Sequence, residues 1–310
     1  MDDVAGLLDG PRARGAFVLR CELDPPWSMR IQDEAPLTLV TLVRGEACLV
    51  RAGEVTRLGP GDVAIVRGPE PYVVADDPAT PPQVVIHPGQ RCTTPDGGEV
   101  EDLSFLGVRT WGNAPDGGTL MLSGTYEAHS EVGGRLLKAL PPVAVVGADE
   151  RPGPLIPYLA DEAARDAPGQ AAVLDRLLDL VLIAALRAWF ARPDADPPGW
   201  YRAHADPVVG PALRLLQEAP QERWTLASLA ASVGISRAAL ARRFRALVGE
   251  GPMTYLTEWR VTLAADLLRE PGATLASVAA QVGYGSPYAL SAAFKRVRGI
   301  SPRDYRAAAA

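Results

Sequence analysis

Along the first part of the chain, apolar positions come in short runs. From Gly15 to about Val85 the segments "AFVLRCEL", "LTLVTLVRG", "EACLVRAG", "VTRLGPGDVAIVRG" and "YVVADD" are rich in β-branched residues and cut by Gly, Pro and Asp at turn positions. This rhythm predicts a small antiparallel barrel or jelly roll. "VVIHPG" and "TLMLSGTYE" (Thr119 to Glu127) read as further strands around a Gly-, Asp- and Pro-rich loop from Pro88 to Gly118. After Ser130 the period changes to that of helices, with "EVGGRLLKAL", "GPLIPYLADEAARD" and the long "GQAAVLDRLLDLVLIAALRAWFA". The long helix carries Leu174, Leu177, Leu178, Val181, Leu182, Leu186 and Trp189. A helix apolar on more than one face is buried in its own domain or against a second chain, so a homodimer is expected. "RPDADPPGW" breaks any helix and reads as a linker. From Pro207 onward the pattern is helical throughout.

That last part contains a repeat. Leu226, Leu229, Ala230, Val233 and Gly234 recur as Leu275, Val278, Ala279, Val282 and Gly283. After the turn, Leu240, Phe244, Gly249, Pro252 and Tyr255 recur as Leu290, Phe294, Gly299, Pro302 and Tyr305, one residue further on because the second turn is longer. Each copy predicts a helix, a tight turn opening on Gly, and a second helix. In the first copy Gly234 supplies the left-handed turn and Ser236 caps the helix Arg237 to Val248. That helix buries Leu240, Phe244 and Leu247 and presents Arg237, Ala238, Ala241, Arg242 and Arg245. This is a helix-turn-helix, whose second helix enters a major groove while cationic side chains reach base edges and phosphates. A generic helical hairpin with a solvated basic face is the bland alternative, and an interaction module whose basic face binds an acidic protein is a further rival.

Charge weighs against that alternative. The net charge of −6 hides two halves: residues 201–310 hold 14 Lys+Arg against 8 Asp+Glu, a net of +6, while residues 1–200 hold 17 against 29, a net of −12. The repeat thus lies on the only basic part of the chain, as expected of a module that touches phosphate. The 310-residue length fits two domains. No uncharged apolar run approaches the roughly 20 residues that span a bilayer. The acidic start "MDDVAGLLDG" is unlike a secretory leader, which places the expected location in the cytoplasm.

With these residues in view, the segment from about Val208 to Arg306 resembles the double helix-turn-helix DNA-binding domain of the AraC/XylS family of bacterial transcription regulators. The resemblance rests on "SVGISRAALARRFRALVGEGPMTYLTEWRVTLAADLL" and "SVAAQVGYGSPYALSAAFKRVRGISPRDYR". The N-terminal part resembles, more weakly, the cupin-like signal domain of such regulators. The implied architecture is α+β. Residues 1–192 would form a cupin-like antiparallel β-barrel to about residue 127 with helices over 130–192, residues 193–206 a linker, and residues 207–310 an all-α domain with two helix-turn-helix units. The resemblance implies double-stranded DNA as partner, RNA polymerase too if the regulator activates, a small-molecule effector, and no cofactor.

It also implies a spacer helix, "PMTYLTEWRVTLAADLLRE" (Pro252 to Glu270), burying Leu256, Trp259, Leu263 and Leu267 and holding the two readers in successive major grooves. Carried over by position, the first reader uses Arg237, Ala238, Ala241 and Arg242, with Arg242 suited to a bidentate contact to guanine. In the second copy the reading positions are Pro287, Tyr288, Ser291 and Ala292, with Lys295 and Arg296 just beyond. None of the four is charged, so the second helix is expected mainly to anchor phosphate.

The N-terminal part offers less chemistry. Its only histidines are His87 and His129, and Tyr72 stands about where a cupin metal histidine is expected, which counts against the rival reading of a cupin-type metalloenzyme. Trp27, Met29, Tyr72, Trp111 and Tyr126 are candidates for an effector pocket or for core. Cys21, Cys48 and Cys92 have no CxxC spacing. "HPGQRC" places His87 and Arg91 beside Cys92, and a cationic neighbourhood lowers a thiol's pKa, so an oxidant or electrophile sensor acting through Cys92 is a further alternative.

Overall fold

A computed structural model describes residues 17–100, 104–126, 131–150 and 152–308. His129 lies outside the described residues, as do Glu127 and Ser130. By contact the chain forms two compact units, and each is built from the patterns above.

The N-terminal unit is a sandwich of two sheets. Its strands are β1 (Phe17–Leu23), β2 (Ser28–Ile31), β3 (Leu37–Arg44), β4 (Ala47–Arg51), β5 (Glu54–Leu58), β6 (Val63–Arg67), β7 (Tyr72–Ala75), β8 (Val84–His87), β9 (Arg91–Thr93), β10 (Ser104–Gly107), β11 (Thr110–Gly112), β12 (Thr119–Tyr126) and β13 (Val143–Val146). One sheet has the order β10-β11-β1-β12-β3-β6-β13 and the other β5-β4-β7-β2-β8-β9. Pairing is antiparallel except for β1 with β11 and β2 with β8. Alternation does the sorting: Met29 and Ile31 point into the core while Arg30 between them is exposed. The core between the sheets holds Trp27, Met29, Leu42, Leu49, Val74 and Met121.

Two features differ from the sequence pattern. The expected loop from Pro88 to Gly118 contains β9, β10 and β11, and the region expected to be wholly helical after Ser130 contains β13. These strands are three or four residues long. They exist because a neighbour supplies the ladder: Val143–Val146 pairs with β6, and Thr110–Gly112 pairs with β1. A segment that short has no periodicity of its own. The helices α2 (Leu155–Ala163) and α3 (Gln170–Phe190) complete this unit, as the pattern predicts, burying Leu174, Leu178, Val181, Leu182 and Leu186.

The C-terminal unit contains α1 (Glu131–Leu137), α4 (Gly199–Ala203), α5 (Val209–Glu218), α6 (Leu226–Ser232), α7 (Arg237–Val248), α8 (Pro252–Arg269), α9 (Leu275–Gln281), α10 (Pro287–Arg298) and α11 (Pro302–Ala308). Two of these sit outside the residues the sequence assigned to this part. Helix α1 precedes β13 in the chain yet packs on α8, and α4 lies in the expected linker with Trp200 and Ala203 buried. Local signals mark α1 as a helix; its partners Asp266 and Arg298 stand 135 and 167 residues away.

The spacer α8 buries Tyr255, Leu256, Trp259, Val261, Ala264, Ala265 and Leu268. Leu263 and Leu267, expected in the core, are half-buried at its edge, and Leu268 takes the inner position. The helix serves both halves of the unit, so its buried face is wider than a single stripe.

Candidate nucleic-acid interface

The two copies repeat in three dimensions. Thr225 caps α6 and Thr274 caps α9, each in a box whose partner is Ser228 or Ser277. Ser236 and Ser286 cap α7 and α10 by accepting from the amides of Ala239 and Ala289, both at 3.2 Å. Leu240 and Phe244 are buried in the first reader, as are Leu290 and Phe294 in the second. Phe244 meets Tyr255 edge-on with centroids 5.8 Å apart, and Phe294 meets Tyr305 in the same way at 5.4 Å.

One junction ties the copies together. Arg260 of α8 donates from Nε to the Pro220 carbonyl at 2.6 Å and from Nη2 to the Glu222 carbonyl at 2.7 Å. Its guanidinium also lies over the Tyr284 ring, 5.6 Å from the centroid. Gly283, with φ +83°, packs so tightly on this segment that a Cβ would lie 2.6 Å from the Gln221 Cα. The longer second turn is therefore also the place where that turn meets the segment preceding α6. Gly234, by contrast, has φ +71° but open space around it. Sequence reasoning did not single out Arg260, which lies on a helix among several arginines.

On the surface of the first reader, Arg237, Ala238, Arg242, Arg243 and Arg245 are exposed and Ala241 is half-buried. Arg243 is already engaged: its Nε and Nη2 donate to Asp206 Oδ2 at 3.0 and 2.8 Å. Asp206 also accepts from the amides of Val208 and Val209, both at 2.9 Å. Slight burial opposes ionisation of Asp206, but Arg243 and these amides hold its carboxyl below the usual value. Arg237, Arg242 and Arg245 make no ion pair among the described residues. Of the adjacent arginines in "ARRFRA", the sequence names the charge and the structure names which one is spoken for.

The second reader divides in the same way. Tyr288 is 84% exposed, Ala292, Lys295 and Arg296 are exposed, and Ser291 is half-buried. Lys295 and Arg296 have no ion-pair partner among the described residues, whereas Arg298 donates to Glu131 Oε2 at 2.8 Å. Arg237, Arg242, Arg245, Lys295 and Arg296 are thus the cations of the two readers without an ion pair among the described residues.

The other candidates lie in the N-terminal unit. Trp27 is fully buried and Tyr72 and Tyr126 nearly so; Met29 is core and Trp111 packs at its edge. Burial pushes the Cys21 thiol up to about 12 and raises that of Cys48, where Arg57 opposes the rise. Cys92 departs from expectation. Its thiol is raised by burial and not lowered by a cation, because β9 alternates its side chains and Arg91 faces solvent. His87 is fully engaged: its Nε2 is 2.9 Å from Thr93 Oγ1 and its Nδ1 is 3.2 Å from Gln32 Nε2. Among the described residues no three His, Cys, Asp or Glu converge as metal ligands.

Comparison with known proteins finds similarity over both parts of the chain. A Cupin family model matches residues 2–191, and a Helix-turn-helix domain model matches residues 229–308. A putative AraC-like transcription regulator of Streptomyces lividans is 35% identical over 286 residues, 90% of this chain and 90% of that protein. One of the same description from Streptomyces antibioticus is 35% identical over 281 residues, 88% of each chain. Among solved structures, the DNA-binding domain of AdpA, described as a global transcriptional factor in complex with a target DNA, is 36% identical over 34% of this chain and 93% of that one, with a TM-score of 0.31. No described helix is long and apolar enough to cross a membrane.

Proposed function

This chain belongs to the AraC-like transcription regulators, with an N-terminal cupin domain and a C-terminal helix-turn-helix domain, and on that premise we propose that α7 and α10 enter successive major grooves of one DNA site. The observation that carries this reading is the set of exposed, uncommitted cations on two structurally repeated helices whose junction is fixed by Arg260 and Gly283. Successive grooves on one face of DNA lie about 34 Å apart.

Specificity rests chiefly on the first reader. Arg242 makes a bidentate contact to guanine, Arg237 and Arg245 hold phosphate or a second base, and Ala238 and Ala241 present methyl groups to thymine. Tyr288 or Ser291 supplies one base contact from the second reader, while Lys295 and Arg296 anchor phosphate. The N-terminal unit receives a signal and pairs with a second copy of the chain. In support of pairing, Val173, Leu177 and Leu180 form a 4–3 spaced stripe on the outer side of α3, with Val173 38% and Leu180 46% exposed. If the regulator activates, RNA polymerase is the further partner.

A gel shift with the DNA upstream of the protein's own gene and a random duplex, at several salt concentrations, tests the reading. The specific duplex is expected to bind with a dissociation constant at least about a thousandfold below that of the random one. Equal binding to both would overturn sequence recognition.

A further inference from the structure

Helix α1 carries two charged side chains one turn apart, Glu131 and Arg135, and each meets a different copy of the repeat. Glu131 takes the second copy: its Oε1 accepts from the Tyr305 hydroxyl and its Oε2 from Arg298 Nη1, both at 2.8 Å. Arg135 takes the first: its guanidinium lies over the Tyr255 ring, 5.3 Å from the centroid, with Nη2 4.0 Å from Glu258 Oε2. Its buried Nη1 has no hydrogen-bond partner among the described residues, which leaves the Tyr255 ring as its principal contact. Tyr255 and Tyr305 are the equivalent tyrosines that pack edge-on against Phe244 and Phe294, the fully buried anchors of α7 and α10. One turn of α1 thus links the anchor of one reader to the anchor of the other.

The seat of α1 is fixed as well. The backbone amide of Glu131 donates to Asp266 Oδ1 of α8 at 2.7 Å, so a carboxylate of the spacer satisfies an amide that the first turn of a helix leaves open. Glu131 stands in the first turn and Arg135 in the last, each at the end where the helix dipole favours its charge. Neither residue belongs to the repeat. The chain reaches α1 from β12, which ends at Tyr126, and leaves it for β13, which begins at Val143, so this brace is drawn from the N-terminal part of the sequence.

We infer that Glu131 and Arg135 are positioning residues for DNA reading, holding α7 and α10 at the separation that two successive major grooves require. This role rests on the reading that both helices bind one site, and it adds what keeps them in step. Arg260 and Gly283 join the second turn to the segment before α6, whereas α1 joins tyrosine to tyrosine. Two separate ties between the copies restrain the hinge motion that a single junction allows. Readers fixed in advance lose little freedom on binding and tolerate little change in groove spacing. Without the brace they tolerate more and bind more weakly.

Gel shifts of the full chain on three duplexes test this. The first duplex is selected from a random library by the wild-type chain, the second carries one base pair inserted between the segments the two readers contact, and the third is truncated at the end the second reader contacts. The insertion moves the second groove by about 3.4 Å and turns it by about 34°. Wild type is expected to bind the inserted duplex at least about tenfold more weakly than the selected one. Glu131→Gln combined with Arg135→Gln should cut that ratio to about threefold or less. Each ratio is taken within one preparation, so a lowered folded fraction cancels from it. If the double variant does not fold, each single variant should still lower the ratio, by about twofold or more. A wild-type ratio in the variants would overturn the inference, as would a wild type indifferent to the insertion but weakened by the truncation. A wild type weakened by neither has no second reader on the site, which overturns the two-groove reading and the inference with it.

Discussion

Tyr305, near the end of the chain, donates its hydroxyl to Glu131 Oε1 at 2.8 Å, across 174 residues of sequence. The same carboxylate accepts from Arg298 at 2.8 Å. In the first copy the matching tyrosine, Tyr255, is satisfied by Gln217 Nε2 at 2.6 Å. The repeat therefore places equivalent phenols on equivalent phenylalanines, and each copy finds its polar partner from a different helix. Burial raises the Tyr305 hydroxyl to about 12, with its bond to Glu131 adding to the rise.

Glu131→Gln should destabilise the C-terminal unit by about 1 kcal/mol near neutral pH. Burial alone would raise the Glu131 carboxyl, but the bonds from Arg298 and Tyr305 prevail and hold it below its ordinary 4.5. A depressed carboxyl contributes fully above its unfolded pKa and loses that contribution as pH falls through the folded one. In denaturant melts from pH 7 downward, the gap between wild type and Glu131→Gln is expected to close below about pH 4.5. A gap that widens in acid would contradict the assignment.

The arginines of the first reader should separate by role. Arg242→Ala is expected to cost about 1–3 kcal/mol of discrimination at one position of the site. Lys295→Ala should weaken every sequence alike and reduce the slope of affinity against salt by about one phosphate. Arg243→Ala should leave that slope unchanged and lower stability by up to about 1 kcal/mol, because its guanidinium belongs to Asp206. A salt titration of the three variants on specific and random duplexes distinguishes these outcomes.

At the two turn glycines, alanine has unequal consequences. Gly234→Ala meets only the strain of a positive φ, about 1 kcal/mol, since nothing lies within 4 Å. Gly283→Ala adds a collision with the backbone of Gln221 and should cost more than twice as much. It should also weaken DNA sites that present both grooves more than sites truncated to the first. Equal melting temperatures for the two variants would show that the close approach is immaterial.

Phe244→Ala and Phe294→Ala each empty a fully buried site and are expected to cost about 3–5 kcal/mol. Thermal unfolding followed by circular dichroism at 222 nm reads this loss directly.

Cys92 should react slowly with a disulfide reagent at pH 7, because burial raises its pKa, and faster as pH climbs past the ordinary thiol range. Cys21, raised to about 12, should stay unmodified until the unit unfolds. Rapid labelling of Cys92 at neutral pH would restore the oxidant-sensing alternative.

The repeated helices were legible because a helix-turn-helix is local: Gly234, Ser236, Leu240 and Phe244 lie within eleven consecutive residues, and the spacing of Leu240 and Phe244 reports their shared face. The strands up to Ala75 were legible for the same reason, since alternation is written along a single strand. Which arginine is spoken for was not, because Asp206 meets Arg243 only when the chain folds 37 residues back on itself. Short strands such as Val143–Val146 and the placement of Glu131 against Arg298 depend likewise on partners that sequence periodicity cannot register. The longer elements, the repeat and the basic face follow from the order of residues alone, because all are properties of neighbours in the chain. The pairing of charges, the fixed junction at Gly283 and the packing between the two sheets emerge on folding, because each depends on groups brought together from distant parts of the chain.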